Sequence, residues 1–445
     1  MTAWQKKTPE NRRSCGVALV LALKACLFFS TGVATGADTA SYAEIDGFAI
    51  FGGRLDAVRT PGYPFVVEIF QRLFGQGYAG PLTFFQLVVS AVSLCLFYRA
   101  LRQMGLNETL SFLTFAGSAL TISVYGWDRY VLSESLTLSL TFMMIFLLVR
   151  FLHTASLRDA LWLAADVFAA TALRPQSAIF AAILLGFFAV FCLYKKAGIA
   201  KLLLSCGCMA VLLAGVYAYA LRYESQYGYF GMSTTLPHQQ TANLIADGLY
   251  ARLPDDTYAE QVEFIRTALD ETQDSSLSIG MQLCATYGYE TASAYDKAVI
   301  RNNLPAYVSA RLYALVTSIP EAFASYPPAQ TQMPQAILNV VRLLLGVLLL
   351  PITFGCGYPA CAIAAVLFIR QCAARKPFDF MDFGIVVILA AIYVSVVFST
   401  CGAYPRTALQ ALPFLILAFA RGADALIRKV RGDTPPAQGG EETAR

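Results

Sequence analysis

Apolar runs long enough to cross a lipid bilayer recur along this chain, and they constrain its fold more than any other feature. A spanning helix needs about 20 mostly apolar residues, with about 17–25 tolerated. Such runs lie at roughly 16–33, 81–98, 109–125, 135–152, 176–194, 202–221, 383–399 and 407–423. A shorter one at 159–173 ends at Leu173-Arg174-Pro175, and 337–370 has room for one crossing preceded by a half-helix, or for two short helices. The composition agrees: 57% of the 445 residues are hydrophobic and 14% charged, against about 25% charged in soluble domains. The sequence therefore predicts an all-α, polytopic transmembrane helix bundle with ten crossings, or eleven if 337–370 crosses twice. A soluble α/β or β-sandwich reading is excluded.

Lys and Arg concentrate in cytoplasmic loops, which orients the bundle. Lys6, Lys7, Arg12 and Arg13 precede the first run and place the N-terminus in the cytoplasm. Alternation then puts Arg99 and Arg102, Arg150 and Arg158, and Lys195, Lys196 and Lys201 inside as well. The tail with Arg428, Lys429 and Arg431 also belongs inside, as does Arg370 to Lys376, so 337–370 crosses an odd number of times. A basic start, a short apolar core and Ala34-Thr35-Gly36-Ala37 also fit a cleaved signal peptide; we read the run as a retained helix, with Lys24 snorkelling or paired inside the bundle.

Four divisions follow: a transmembrane catalytic module at 1–222 that includes the first outer loop 34–80, an extracytoplasmic cap at 223–335, C-terminal transmembrane helices at 336–432, and a disordered cytoplasmic tail at 433–445. Within the cap, 257–270 and 290–316 read as helices with one apolar face. It serves as an acceptor platform or lid, or as packing on the bundle.

Several chemistries are ruled out. A formal charge of +4 is too small to imply nucleic acid, and His153 and His238 are too few and too far apart for a zinc site. The eleven cysteines show no CxxC and no metal spacing, and whether Cys284 and Cys401 pair is left open.

The polar residues that look out of place fall at the outward ends of the runs. They are Asp38, Arg59-Thr-Pro-Gly-Tyr-Pro64, Asp128-Arg129, Ser133-Glu134-Ser135, Arg174-Pro175 and Tyr404-Pro405-Arg406. Topology thus gathers carboxylates and arginines at one headgroup layer, which suits a substrate with a lipid tail and a phosphate at the surface. Each also has a plain reading: an arginine can anchor to headgroups, Pro and Gly make turns, and Glu134 can be an N-terminal helix charge. Asp166, in mid-helix, is costly unless paired.

Asp38-Thr-Ala-Ser-Tyr42 after the first helix, Arg59-x-Pro-Gly-Tyr-Pro64, Ser133-Glu134 opening a helix and Leu173-Arg174-Pro175 follow in order over the first 200 residues. Together with Arg406 and the Pro413 segment, this ordered set resembles the C-superfamily glycosyltransferases. The nearest groups are the lipid A aminoarabinose transferases, the protein O-mannosyltransferases and the lipopolysaccharide-core transferases. Many members carry an acidic residue directly after the first-loop aspartate, where this chain has Thr39, and an Asp before Pro where it has Glu134 before Ser135.

The resemblance implies a polyprenyl-phosphate sugar donor and inverting transfer to a hydroxyl or phosphate of a lipid, glycan or protein acceptor. The site would face the periplasm from the cell inner membrane, with both termini in the cytoplasm. It also implies Asp38 as the general base and Glu134 as the second carboxylate, which holds the acceptor or orients a sugar hydroxyl. Arg174 and Arg406 are the expected phosphate ligands, because a guanidinium fork binds phosphate oxygens in pairs; Arg59 and Arg129 are alternates. Tyr42, Tyr63, Asp128 and Arg129 would line the sugar or acceptor pocket. No cofactor is expected, and a divalent metal, present in some relatives, is not required. The competing readings are a transporter or flippase of a lipid-linked saccharide, which Lys24 and Asp166 would serve, and a surface-polysaccharide ligase or polymerase.

Overall fold

A computed structural model describes residues 9–36, 38–196, 198–271, 275–318, 340, 357–373, 379–401 and 404–432. The stretch 337–370 before residue 357, apart from residue 340, lies outside the described residues, as do the 433–445 tail and residues 374–376 of the 370–376 basic link.

Hydrocarbon offers no partner to a backbone N–H or C=O, so a chain that enters it closes its hydrogen bonds within helices. The described residues form an all-α polytopic bundle. In chain order the helices are α1 (Pro9–Phe29), α2 (Thr39–Ala43), α3 (Gly62–Phe74), α4 (Ala79–Gln103), α5 (Glu108–Leu120), α6 (Ile122–Tyr125), α7 (Glu134–Thr154) and α8 (Leu157–Leu173). There follow α9 (Ala178–Tyr194), α10 (Ile199–Tyr227), α11 (Thr235–Ala246), α12 (Ala259–Glu271), α13 (Ser276–Tyr287), α14 (Tyr289–Asn302) and α15 (Leu304–Ser318). The last are α16 (Tyr358–Ala373), α17 (Phe380–Ser399), α18 (Tyr404–Thr407) and α19 (Leu412–Arg431).

Among the described residues, six stretches are long and apolar enough to cross a membrane: α4, α7, α10, α17, and α9 and α19 with the turns that precede them. α1 and α16 contribute shorter apolar helices. Two expectations need correction. The run 109–125 is not one straight crossing, because α5 and the segment after it bend by 52° at Thr121, whose extended backbone interrupts the helix. The first helix also stops at Phe29 rather than continuing to residue 33, and Ala34 pairs with Tyr130 in an isolated parallel bridge.

α7 is the central helix, buried on nearly every side between α4 and α8. Its aromatic side chains interlock with those of other helices: Phe142 meets Phe97 at a ring-centroid distance of 5.0 Å, and Phe151 meets Phe188 of α9 at 4.2 Å. At the end away from the cap, Arg421 of α19 donates to Asp379 at 2.5 Å and to Asp382 at 2.6 Å, tying α19 to α17.

Lys24 carries a cation into the core of the bundle, where it is fully buried and donates to Asp128 at 2.5 Å. Ser135 donates to the other Asp128 oxygen at 2.7 Å. Removing one member of such a pair strands a buried charge, at a cost of about 3–5 kcal/mol, whereas replacing both by neutral groups costs far less. Lys24→Met should therefore lower the melting temperature in detergent sharply, and Lys24→Met with Asp128→Asn should recover most of the loss. Additive losses in that double-mutant cycle would show that the pair is not coupled.

Helices α11 to α14 bury a second apolar cluster of their own, including Leu244, Ile265, Ile279, Leu283 and Val299. The expected helix over 290–316 is broken at Asn303, which separates α14 from α15. Arg311 of α15 donates to Asn243 at 2.6 Å and to Asp247, and at 3.4 Å to the carbonyl of Val397, fastening the cap to α17. Cap and first loop interlock as well: Thr234 N–H donates to the Ala57 carbonyl at 2.8 Å and the Tyr223 hydroxyl to the same carbonyl at 2.5 Å. Cys284 and Cys401 are both free thiols.

Inside the cap Asp296 is fully buried, and its two oxygens accept from Thr241 at 3.0 Å each. Burial pushes its carboxyl up to about 8, only partly offset by Thr241. A carboxyl raised on folding contributes stability that is complete below its unfolded value near 4 and is lost as pH rises through about 8. Asp296→Asn should therefore melt at a higher temperature than wild type at pH 8, with the gap closing by pH 5. A gap that does not vary with pH would contradict this.

Candidate functional site

At the cap end of the bundle, separated stretches of sequence converge on one ionic cluster. Asp38 caps the short α2, four positions after Ala34, which pairs with the loop before α7. In that bridge Ala34 N–H donates to the Arg129 carbonyl at 2.9 Å, and Val131 N–H to the Ala34 carbonyl at 3.1 Å. Glu134 opens α7, and its carboxylate lies at the helix N-terminus, where the unsatisfied amides favour negative charge.

Arg174 follows the last residue of α8 and precedes Pro175, which disfavours helix in the residue before it. Arg174 is accordingly extended, at φ −145° and ψ 118°, and its side chain leaves the helix end. Arg406 sits on α18, which is held beside that corner: Gln176 donates to the Thr407 carbonyl at 3.2 Å and Gln410 to Ser177 at 2.6 Å. Arg59 arrives on the first loop, which packs against α8 because Gly62 has no side chain. A Cβ there would stand 2.5 Å from the Ala172 backbone.

The contacts form a chain. Arg59 Nη2 donates to Asp38 Oδ1 at 2.6 Å, and Arg406 Nη1 donates to Asp38 Oδ2. Arg406 Nε donates to Glu134 Oε1, which also accepts from Arg174 Nη2 at 2.8 Å. Arg174 further donates to Ser133 Oγ at 3.2 Å and to the Arg406 carbonyl at 3.3 Å. Three guanidinium groups against two carboxylates leave one positive charge in surplus. Glu134 is fully buried and its second oxygen has no hydrogen-bond partner, whereas the side chains of Asp38 and Arg406 are 27% and 30% exposed. Burial alone would raise the Asp38 carboxyl, but Arg406 and then Arg59 outweigh it and hold it below the ordinary carboxylate value.

The other expected site residues lie lower or are otherwise engaged. Tyr42 is buried with the Arg59 guanidinium 4.6 Å over its ring, and packs edge-on against Tyr63 at 4.8 Å. Tyr63 is fully buried and donates to Gln86 at 2.8 Å, so its hydroxyl faces protein rather than an open pocket. Asp128 is likewise committed to Lys24 beneath the cluster. Arg129 is buried beside the Tyr130 ring at 5.8 Å. Tyr63, Asp128 and Arg129, expected to line the pocket, are thus all buried, Tyr63 and Asp128 with protein partners for their polar groups. Arg59, expected as an alternate phosphate ligand, is bonded to Asp38.

Ser133, which the sequence marks only as part of Ser133-Glu134-Ser135, accepts from Arg174. Another support escapes a reading of the sequence. Gln86 donates to the carbonyls of Asp128 at 3.0 Å and Tyr130 at 2.8 Å, holding the loop that presents Glu134. The signal for Gln86 is an amide within the otherwise apolar run 81–98. Among the described residues, no group of three or more His, Cys, Asp or Glu side chains is placed to hold a metal ion.

No family model matches the chain, and no curated protein matches it. Solved structures do resemble it. The archaeal oligosaccharyltransferase AglB from Archaeoglobus fulgidus, in complex with an inhibitory peptide and a dolichol-phosphate, is similar over 95% of this chain at 10% identity and a TM-score of 0.46. The Archaeoglobus fulgidus oligosaccharyltransferase in the apo form is similar over 98% of it at 11% identity and a TM-score of 0.49. The chain spans about half the length of these proteins, 52% of the first and 54% of the second.

Proposed function

We propose that this chain is an integral membrane glycosyltransferase that moves a sugar from a polyprenyl-phosphate donor to an acceptor on the extracytoplasmic face of the inner membrane, with inversion. The observation that carries the reading is the cluster itself: Asp38, Glu134, Arg59, Arg174 and Arg406 meet at one end of the bundle, and their surplus is a single positive charge. Each step of the transfer has a group for it there. The acceptor hydroxyl oxygen attacks the anomeric carbon, its proton passes to Asp38, and the bond from that carbon to the phosphate oxygen breaks with its electron pair leaving on the phosphate. The guanidinium groups of Arg174 and Arg406 stabilise the departing phosphate without a metal, as fixed donors do best in a site closed to water. Both Asp38 oxygens are engaged by arginines in this structure. A donor phosphate competes for Arg406, and its arrival releases one Asp38 oxygen to accept the proton.

Glu134 holds Arg174 and Arg406 in place, and its unpartnered oxygen is available to a substrate hydroxyl. The transporter reading would draw on Lys24 as a mid-membrane charge, but that charge is engaged by Asp128.

The test is transfer by the purified protein, given a panel of radiolabelled polyprenyl-phosphate sugars. Flipping in vesicles without cleavage of the sugar–phosphate bond would select the transporter instead. Arg174→Ala should lower kcat/KM for the donor by about 10–100-fold, the loss of one hydrogen bond between charged groups, and should change acceptor KM little. An unchanged dependence on donor would remove Arg174 from the phosphate site.

A further inference from the structure

Two cavities adjoin the cluster on its Arg59 side. The larger is an apolar groove of about 910 Å³ between α8 and α10, closed at one end by the first loop at Thr60 and Pro61. Its walls include Leu161, Phe168, Leu204 and Val211, all strongly exposed. The smaller, about 340 Å³, holds more charge, and its lining includes Glu44, Asp46, Arg54, Asp56 and Arg59. Ile50, Pro61 and Tyr219 line both, so the two share a border. At that shared border the Tyr219 hydroxyl is shielded from water and has no partner, a cost of about 1–3 kcal/mol that a ligand oxygen would relieve.

Charge separates this space from the phosphate site. The Arg59 guanidinium is on Asp38, which leaves Arg54 alone against the carboxylates of Glu44, Asp46 and Asp56. The pocket is therefore net negative and repels a phosphate, while the neighbouring cluster attracts one. Carboxylates beside a guanidinium suit a neutral, hydroxyl-rich head, with hydroxyls donating to the acids and accepting from the arginine. A head seated there lies beside Arg59, whose guanidinium is bonded to Asp38.

We propose that the groove and the pocket together bind the acceptor, and that the acceptor is a lipid-anchored saccharide, with its apolar tail between α8 and α10 and its sugar head beside Arg59. The assignment rests on Asp38 being the base. Both substrates then reach the site from within the membrane, the donor phosphate at Arg174 and Arg406 and the acceptor head beside Arg59.

Gly207 and Gly215 line the groove on α10, and a Cβ added to either meets nothing within 4 Å. Gly215→Trp can thus fill the groove without displacing protein. The full chain in lipid nanodiscs would be photolabelled with an alkyl glucoside carrying a diazirine in its tail, and the labelled residues mapped by mass spectrometry. Label should concentrate on 161–172 and 203–216, resist an excess of polyprenyl phosphate, and fall by about tenfold or more in Gly215→Trp, the weakening expected of an overfilled apolar site.

With the same glucoside supplied as acceptor, Gly215→Trp should raise its KM and leave donor KM unchanged. Label spread evenly over other exposed helices such as α4 would overturn the proposal, as would displacement by polyprenyl phosphate, which would make the groove a donor site. Asp38→Asn should label as wild type does. Labelling needs no turnover, so intact labelling without sugar transfer would count against the glycosyltransferase reading, whereas transfer without groove labelling would count against the groove.

Discussion

Asp38→Asn should lower the rate of sugar transfer by about 10²–10⁴-fold, the usual contribution of a general base. The substitution keeps the shape of the side chain and removes its charge. The side chain is about a quarter exposed, so its ion pairs with Arg59 and Arg406 are partly screened and add only about 1 kcal/mol to stability. The variant should fold, and the loss should appear in turnover.

The pH profile gives a second reading of the same residue. Burial works against ionisation of Asp38, but Arg406 and Arg59 prevail and depress its carboxyl. A depressed carboxyl supports whatever needs its charge at all pH values above its ordinary range near 4, and fails only as pH falls through the lowered value. Activity should therefore hold across pH 5–7, with no acid limb in that window due to Asp38. An Asp38→Asn enzyme that turns over as wild type does would remove Asp38 as the base, and an acid limb near pH 6 would point to another group.

Arg406→Ala should reduce transfer by about 10²–10³-fold, the scale seen when one oriented donor to a developing charge is deleted. Arg406 alone touches both carboxylates, with Nη1 on Asp38 and Nε on Glu134. Its removal takes away the donor proposed for the phosphate and leaves the fully buried Glu134 with Arg174 as its only guanidinium among the described residues. Arg406→Lys should recover the charge but not the rate, because an ammonium cannot span two carboxylates as a planar fork does. Single-turnover transfer measured beside thermal unfolding separates lost chemistry from lost folding. Equal turnover by a folded Arg406→Ala enzyme would sink both its phosphate role and its part in releasing Asp38.

Periodicity and charge make the outline of this protein legible in its amino-acid sequence. Apolar runs mark the helices, because the thickness of hydrocarbon sets their length, and breaks such as Arg174-Pro175 mark where side chains leave a helix end. Asp38, Glu134, Arg174 and Arg406 stand out as charges at the edges of apolar runs, and the fold brings all four together. Depth is not legible in the same way. Asp128 and Tyr63 carry the same polar groups as true pocket residues, and only tertiary packing places Lys24, 104 positions away, against Asp128. The bend at Thr121 is equally hidden, since no Pro or Gly occupies that position. The groove between α8 and α10 depends on how two helices lean, which the residues of neither helix state.

The bridge between Ala34 and Tyr130 bears on how this region tolerates insertions and deletions. Asp38 lies four positions beyond Ala34, and Glu134 four beyond Tyr130. Both carboxylates are thus measured out along equal tethers from a common knot. One residue added to either tether would shift its carboxylate by up to about 3.5 Å, beyond the reach of Arg406, which holds both. What the pairing sets is therefore the length of each tether.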